Sequence, residues 1–510
     1  MRRYHRLLII AAIILILANA GSLFLPHQTE NLPATTDGIT ALFTYGMYGF
    51  FFMIGYVALT AGVLFVVARP GDSGYADQID GSRFTGDAQS PDRIVLIDER
   101  LLVGTSKIHL VQGAVNSLDM TCHAAERGAI SNVFFASVLE AADRGVRIRI
   151  LFDGFFRAYS GLDSLLYGTL SAHPNIQVRV YEPVNLLTPW TLNNRMHDKY
   201  MIVDGRTAII GTSNLGDRYT VDIDENRQTS DREAVILGTS HPTSVIHQFA
   251  EYFLQLWNHP FVREKPYGIT GIGKKDMVCH QNQLMEQLSK AKIENAHWFY
   301  PAIDWTGMSM PVNRITLIHN PITRLNKEPR VLMELAGLMR LSKKNVILQS
   351  PYIVPARRIR QYLNLYETDA RLTLLTNSLA VNANHFAPAG YQKYKKMILA
   401  AAEEVFEYQG PGSIHGKSYV FDDRISLIGS FNIDPRSAFL STESMVVVDS
   451  EPFASALTRS MKELMRNSSL QNKPDDADAL DRKADKPVTL RRRLINHFLV
   501  FFLSSFEGLI

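Results

Sequence analysis

Met196-His-Asp-Lys-Tyr-Met-Ile-Val-Asp-Gly-Arg-Thr-Ala-Ile-Ile-Gly-Thr-Ser-Asn214 is echoed by Ile414-His-Gly-Lys-Ser-Tyr-Val-Phe-Asp-Asp-Arg-Ile-Ser-Leu-Ile-Gly-Ser-Phe-Asn432. His197, Lys199, Asp204, Gly211 and Asn214 recur as His415, Lys417, Asp422, Gly429 and Asn432, each pair 218 residues apart. Five fixed identities at fixed spacing arise by chance in a chain of this length on the order of once in 10,000. Each copy reads as two short apolar strands, Tyr200 to Asp204 and Thr207 to Gly211 in the first, around a turn at Gly205-Arg206. Side chains two apart on a strand share a face, so each copy presents an imidazole beside an ammonium.

The flanks repeat as well. Ala136 to Asp153 reads as helix then strand, and Val331 to Ser350 has the same order. A further short strand precedes each motif, Ile176 to Tyr181 in the first copy and Arg371 to Asn377 in the second. Strands alternating with helices indicate α/β lobes. The sequence therefore divides into lobes at 96–260 and 331–465, a connector at 261–330 without strong period, and polar linkers at 71–95 and 466–490.

Composition sets bounds. The chain has 510 residues, 46% hydrophobic and 20% charged, which suits several packed domains rather than disorder. A net charge of +3 does not describe a strongly basic nucleic-acid groove. Two cysteines, Cys122 and Cys279, exclude a disulfide scaffold and cysteine-rich metal centres. Cys122-His123 and Cys279-His280 lack enough further ligands for a metal site, and Asp222-Ile-Asp-Glu225 reads as a solvated loop. No cofactor and no metal is expected.

The N-terminus reads as membrane-bound. Leu7 to Leu25 is an uncharged run of 19 residues behind Arg2, Arg3 and Arg6, and Gly38 to Ala68 is an uncharged run of 31. About 20 apolar residues suffice to cross a bilayer. A transmembrane helical hairpin over 1–70 is expected, and the arginine asymmetry places the N-terminus and the lobes on the cytoplasmic face. Ala18-Asn19-Ala20 keeps signal-peptide cleavage open. At the other end, 491–510 opens on Arg491-Arg492-Arg493 and continues with one-sided apolar spacing. It is expected either to lie in the membrane interface or to dock on the protein.

Two facing copies of the motif make a reaction centre. Two lysines and two asparagines neutralise a phosphodiester and the charge that builds in its transition state. One neutral histidine can attack phosphorus, while the other, protonated, supplies a proton to the departing alcohol. A duplicated motif supplies both protonation states without a metal.

The pattern His-x-Lys-x4-Asp-x6-Gly-(Ser/Thr)-x-Asn, present twice, resembles the phospholipase D superfamily over roughly 95 to 455. Ser350 to Pro355, Leu375 to Leu379, Ala389 to Tyr391 with Tyr394, and Gly429 to Ser437, together with the apolar N-terminal runs, resemble bacterial cardiolipin synthases. The resemblance implies two α/β lobes related by a pseudo-two-fold axis, here preceded by two transmembrane helices. His197 and His415 would be nucleophile and acid/base, and Lys199 and Lys417 would bind phosphate, with Asn214 and Asn432 in support. Asp204 and Asp422 would hold the motif's structure. Each histidine needs an acidic partner. Glu443 matches the family position in the second copy, whereas the first departs from the pattern. There Asp231 or Glu233 serves, with Glu225 a weaker alternative and Thr212 replacing the usual Ser or Gly. The implied activity is transfer of a phosphatidyl group to phosphatidylglycerol in a bacterial inner membrane, with phospholipids and no nucleic acid as substrates. Hydrolysis to phosphatidic acid is the alternative. A partner protein or homo-oligomer stays open.

Overall fold

The strand order of one sheet repeats in another. The first sheet of this computed structural model runs, edge to edge, through Val262–Arg263, Ile176–Tyr181, Arg147–Asp153, Ser117–Cys122, Tyr200–Val203, Thr207–Gly211, Glu233–Leu237, Arg93–Ile97 and Met310–Pro311. The second runs through Ser468–Leu470, Glu404–Tyr408, Arg371–Asn377, Asn345–Gln349, Ser418–Phe421, Ile425–Gly429, Ser444–Asp449 and Arg314–His319. Every strand of the second has a counterpart in the first, and Met310–Pro311 is the extra edge. The structure describes residues 34–154, 164–185, 187–219, 224–264, 273–382, 384, 386–472 and 484–502.

In each sheet three neighbouring strands are parallel and the strands carrying the repeated motif run antiparallel to them. Parallel neighbours need a crossover. In the first lobe Ala129–Asp143 and Ser164–Ser171 provide the helices, and in the second Phe386–Ala401 provides one. Alternation along a strand then sorts side chains between two cores. Met201 and Val203 face the outer core of the first lobe, while Tyr200 and Ile202 face a core shared with the second. Helices Ile246–Trp257 and Glu451–Arg466 fill that shared core, with Phe249 and Phe253 from one and Phe453 and Leu457 from the other.

Two short strand pairs cross between the lobes. Arg195–Met196 pairs with Ser441–Thr442, and Ser413–Ile414 pairs with Thr229–Ser230. Each motif's leading strand thus meets the same element of the other lobe. That reciprocity defines a pseudo-two-fold relation.

Three segments read as connectors carry structure. The 71–95 stretch is docked: Ser73 hydrogen-bonds Glu328, Tyr75 hydrogen-bonds Glu334 at 2.6 Å, and Phe84 is buried in the second lobe's core. Its last residues already belong to the sheet, which begins at Arg93. The connector at 261–330 holds a 21-residue helix, Lys274–Glu294, whose Leu284 and Leu288 join the first lobe's core. It also supplies strand Arg314–His319 of the second sheet. The helix has only a narrow apolar stripe, so its periodicity was faint in the sequence. Ser468–Leu470, within the expected second linker, pairs with Glu404–Tyr408.

Of the two apolar runs, Leu7 to Leu25 lies outside the described residues. The second is helical from Ala34 through a π-helical turn at Ala58–Val63 to Val67. Tyr45–Val67, 23 residues, is long and apolar enough to cross a membrane. Its far end is fastened to both lobes. Tyr56 donates to the Leu187 carbonyl and Asn193 donates to that of Ala61, from the loop leading to His197. From the second lobe, Asn326 and Arg358 donate to the last carbonyls of the helix, at Phe65 and Ala68. These bonds satisfy orphan carbonyls at the helix end.

At the C-terminus, Leu490–Phe502 is a helix packed beside Phe386–Ala401, with Arg492 donating to the carbonyls of Ala380 and Asn382. Leu490, Leu494 and Phe498 are exposed along one stripe. One side is docked and another is apolar and open.

Candidate active site

Each motif histidine sits where its leading strand leaves the other lobe. The strand before His197 is fixed by Asp153, which accepts the Met196 N–H at 2.7 Å and pairs with Arg195 at 3.4 Å. In the second copy Asn377 takes that place, exchanging two 2.8 Å bonds with Ile414. The His197 N–H donates to Thr442 O at 3.1 Å, and the His415 N–H donates to Ser230 O at 2.8 Å. Crossing strands therefore bring both motifs to one seam.

The acidic partners are exchanged between lobes. Glu443, expected to serve the second histidine, lies 2.9 Å from His197 Nδ1 with both oxygens. Asp231 lies 2.6 Å from His415 Nδ1. The inter-lobe pairing explains the swap, because Glu443 follows Ser441–Thr442 and is carried to the first motif with it. Glu233 is not a histidine partner. Its carboxylate binds Lys107 at 2.8 Å and Ser213 behind the sheet. Glu225 lies on an exposed turn. The two rings keep 17% and 16% side-chain exposure while both carboxylates keep none, so the imidazoles and not the acids are open to the seam.

Lys199 Nζ donates to the His197 carbonyl at 2.7 Å, and Lys417 Nζ donates to that of His415 at 2.6 Å. Carbonyl partners orient an ammonium without neutralising it. Asn214 Nδ2 donates to the Tyr219 hydroxyl at 3.1 Å and Asn432 Nδ2 to Ser437 Oγ at 3.2 Å. Both amide oxygens are buried without a partner among the described residues. Asp204 and Asp422 are remote from this seam. Each has a left-handed backbone, φ 52° and 50°, and its carboxylate accepts N–H groups from residues 115–117 or 343–345. They tie the motif's turn to the neighbouring strand, and short polar side chains tolerate that conformation best. The motif glycines have a steric reason. A Cβ on Gly211 would lie 2.1 Å from the Glu233 carboxylate, and one on Gly429 would lie 2.3 Å from Ser444 O.

Electrostatics separate the two dyads. Burial pushes Glu443 well above the usual carboxylate range, against Lys199 and the Ser430 hydroxyl. Burial acts on Asp231 too, but His415, Lys417 and the Thr212 hydroxyl outweigh it and hold Asp231 below that range. Burial, then Lys199, lowers His197 well below its ordinary value, and burial with Lys417 lowers His415 to about 4. Burial lowers Lys199 to about 8 and Lys417 to about 7. The seam therefore disfavours further positive charge, and an anion placed there would relieve that.

Two neighbours were missed from sequence. His123 is buried with its ring 4.5 Å from that of His197, edge to face, and its Nδ1 is 2.6 Å from Met196 O. Burial holds it neutral. The signal was its position just beyond the carboxyl end of a parallel strand, where ligands of α/β sheets bind. Tyr219 lies 5.7 Å from His415. By contrast Tyr391 is a core residue bonded to Glu407, Cys122 is buried, and Cys279 is exposed on Lys274–Glu294. Asp222 lies outside the described residues.

The profile of a family described as cardiolipin synthase, PLD-like domain, matches residues 108–257 and 335–465. Cardiolipin synthase C of Escherichia coli (strain K12) is 26% identical over 441 residues, covering 79% of this chain and 91% of that protein. Cardiolipin synthase A of Edwardsiella ictaluri (strain 93-146) is 23% identical over 370 residues, covering 71% and 66%. Among solved structures, the phosphatidylserine synthase of Haemophilus influenzae Rd KW20 superposes with a TM-score of 0.57 at 14% identity, covering 82% of this chain and 95% of that one. That likeness is one of fold.

Proposed function

The chain belongs to the cardiolipin synthase, PLD-like domain family, and from that premise we propose that it is a membrane-bound phosphatidyltransferase that makes cardiolipin through a phosphohistidine. The observation that carries this reading is the pair of cross-lobe dyads, His197–Glu443 and His415–Asp231, each with a lysine that donates to its histidine's carbonyl.

The dyads divide the labour. Once the His197–Glu443 pair has one proton, it sits on Nδ1 against the carboxylate and leaves Nε2 with a lone pair. Nε2 attacks the phosphorus of one phosphatidylglycerol. The bond from phosphorus to the headgroup glycerol breaks, and that oxygen takes a proton from His415. Asp231, held ionised, stabilises the His415 imidazolium that this step needs. In the second step a terminal hydroxyl of another phosphatidylglycerol gives its proton to His415 and attacks phosphorus, and the phosphorus–nitrogen bond breaks. Lys199 and Lys417 hold the equatorial charge in both steps.

The apolar helix Tyr45–Val67, bonded to the loop before His197, supports placing the seam at a bilayer surface. The cytoplasmic face is the side read from the arginines. Exposed Cys279 tests it: an impermeant maleimide should label permeabilised cells only, and labelling of intact cells would reverse the orientation.

The activity is tested with purified protein in micelles of phosphatidylglycerol, followed by lipid mass spectrometry and glycerol release. Cardiolipin with equimolar glycerol is expected. Phosphatidic acid in place of cardiolipin would make the enzyme a hydrolase.

A further inference from the structure

A cavity of about 910 Å³ opens between the lobes on the His415 side. One wall is the crossing pair at Thr229 and Ser413, two residues before Asp231 and His415. Arg127, Arg218, Arg227, Lys486 and Arg492 line it. Only two carboxylates, Glu126 and Asp217, share the lining. Asp217 is already committed to the N–H groups of Ala129 and Ile130 at the start of a helix. Lys486 donates to Gly410 O and Arg492 to the carbonyls of Ala380 and Asn382. Those partners fix the cations in place and leave their charge intact. The Arg227 side chain has no hydrogen bond or ion pair among the described residues. Arg218 pairs with Glu126 at 3.4 Å, yet five lining cations outnumber two carboxylates, so the cavity keeps a net positive field.

A helix with an exposed apolar face borders it. Arg492 belongs to Leu490–Phe502, whose exposed Leu490, Leu494 and Phe498 form a stripe on the face turned away from Arg492. A cationic hollow beside an exposed apolar helix matches an amphiphile, with an anionic head for the one and acyl chains for the other. The hollow is also one-sided. Arg218 stands four residues after Asn214, as Arg436 stands four after Asn432, but Arg218 lines this cavity whereas Arg436 lies among the charges of Arg195, Asp434 and Asp153. A transfer reaction needs such asymmetry, because its two lipids play different parts.

We infer that this cavity binds the phosphodiester headgroup of an anionic phospholipid, and that its occupant is the acceptor presented to His415. The binding stands on the cavity alone. The acceptor role rests on the transferase reading above.

Two measurements on the detergent-solubilised full chain test the inference. In the first, short-chain dihexanoyl phosphatidylglycerol, its phosphatidylcholine counterpart and inorganic phosphate are titrated below micelle formation against wild type, Arg227→Glu and Arg127→Glu. Phosphatidylglycerol should bind in preference to the other two and weaken about tenfold in each variant, with Arg227→Lys restoring most of it. Equal binding in both variants would overturn the site, and equally tight inorganic phosphate would overturn its assignment to a lipid. In the second, Arg227→Glu should raise the KM for acceptor phosphatidylglycerol about tenfold while glycerol release in the first step stays within about twofold of wild type. An unchanged KM would remove the acceptor role. A wild-type protein that makes no cardiolipin would break the transferase reading, and the titration would still decide the cavity.

Discussion

The dyads at His197 and His415 are built from the same strands in the same register, yet they differ in the balance of forces on their acids. Asp231 receives hydroxyls from both Thr212 and Thr229, each at 2.7 Å, and sits against Lys417. Glu443 receives Ser430 and lies against Lys199. Burial is complete for both. Hydrogen bonds and charges win at Asp231, and desolvation wins at Glu443. A duplicated fold thus yields one acid shifted toward its neutral form and one held as a carboxylate. In the proposed reaction the Asp231 carboxylate supports the transient charge on His415, and Glu443 must lose its proton before His197 attacks.

Removing the charge of each acid tests the comparison most severely. Asp231→Asn should lower kcat by roughly 10²–10³, since it withdraws the anion that stabilises imidazolium. Glu443→Gln should cost about tenfold, because the resting carboxyl there already favours its neutral form. Equal losses would erase the asymmetry, and the reverse order would exchange the roles of the two histidines.

A pH profile gives the next largest effect. Lys417 at about 7 and Lys199 at about 8 are protonated below those values and lose their charge as pH rises through them. The ratio kcat/KM reports free-enzyme groups. It should therefore fall on the alkaline side between about pH 7 and 8. Lys417→Arg, charged throughout this range, should move that limb upward. A limb that stays put would remove the lysines from phosphate binding.

The smallest effect belongs to the hydroxyls. Thr212→Val deletes one of the two hydroxyls that donate to Asp231, about 1 kcal/mol of hydrogen bonding, and should slow turnover several-fold. Ser430→Ala, acting on an acid already dominated by burial, should slow it less. The two rates of the purified variants give the comparison directly.

The sequence made much of this legible because the motif carries its own geometry. Alternation put His197 beside Lys199, and the constant offset announced two lobes. It did not reveal the exchange of acids. Thr229-Ser-Asp231 and Ser441-Thr-Glu443 are equivalent in the structure but sit 17 and 11 residues beyond Asn214 and Asn432. A longer loop in the first copy broke the register that had guided the rest. Nor could periodicity within one lobe show that a strand closes on the other lobe. Helix Lys274–Glu294 was hidden for another reason: it buries only Leu284, Leu288 and Ala291, and its other faces are polar. The expected first membrane run lies outside the described residues, so the membrane reading here stands on Tyr45–Val67.

The most direct test of the account traps its intermediate. His415→Ala protein is mixed with phosphatidylglycerol, quenched under alkaline conditions that preserve phosphohistidine, digested and mapped by mass spectrometry. The account predicts a phosphatidyl adduct on the peptide containing His197, and none on the His415 peptide of a His197→Ala protein treated alike. An adduct on His415, or wild-type turnover with no adduct on either histidine, would contradict it.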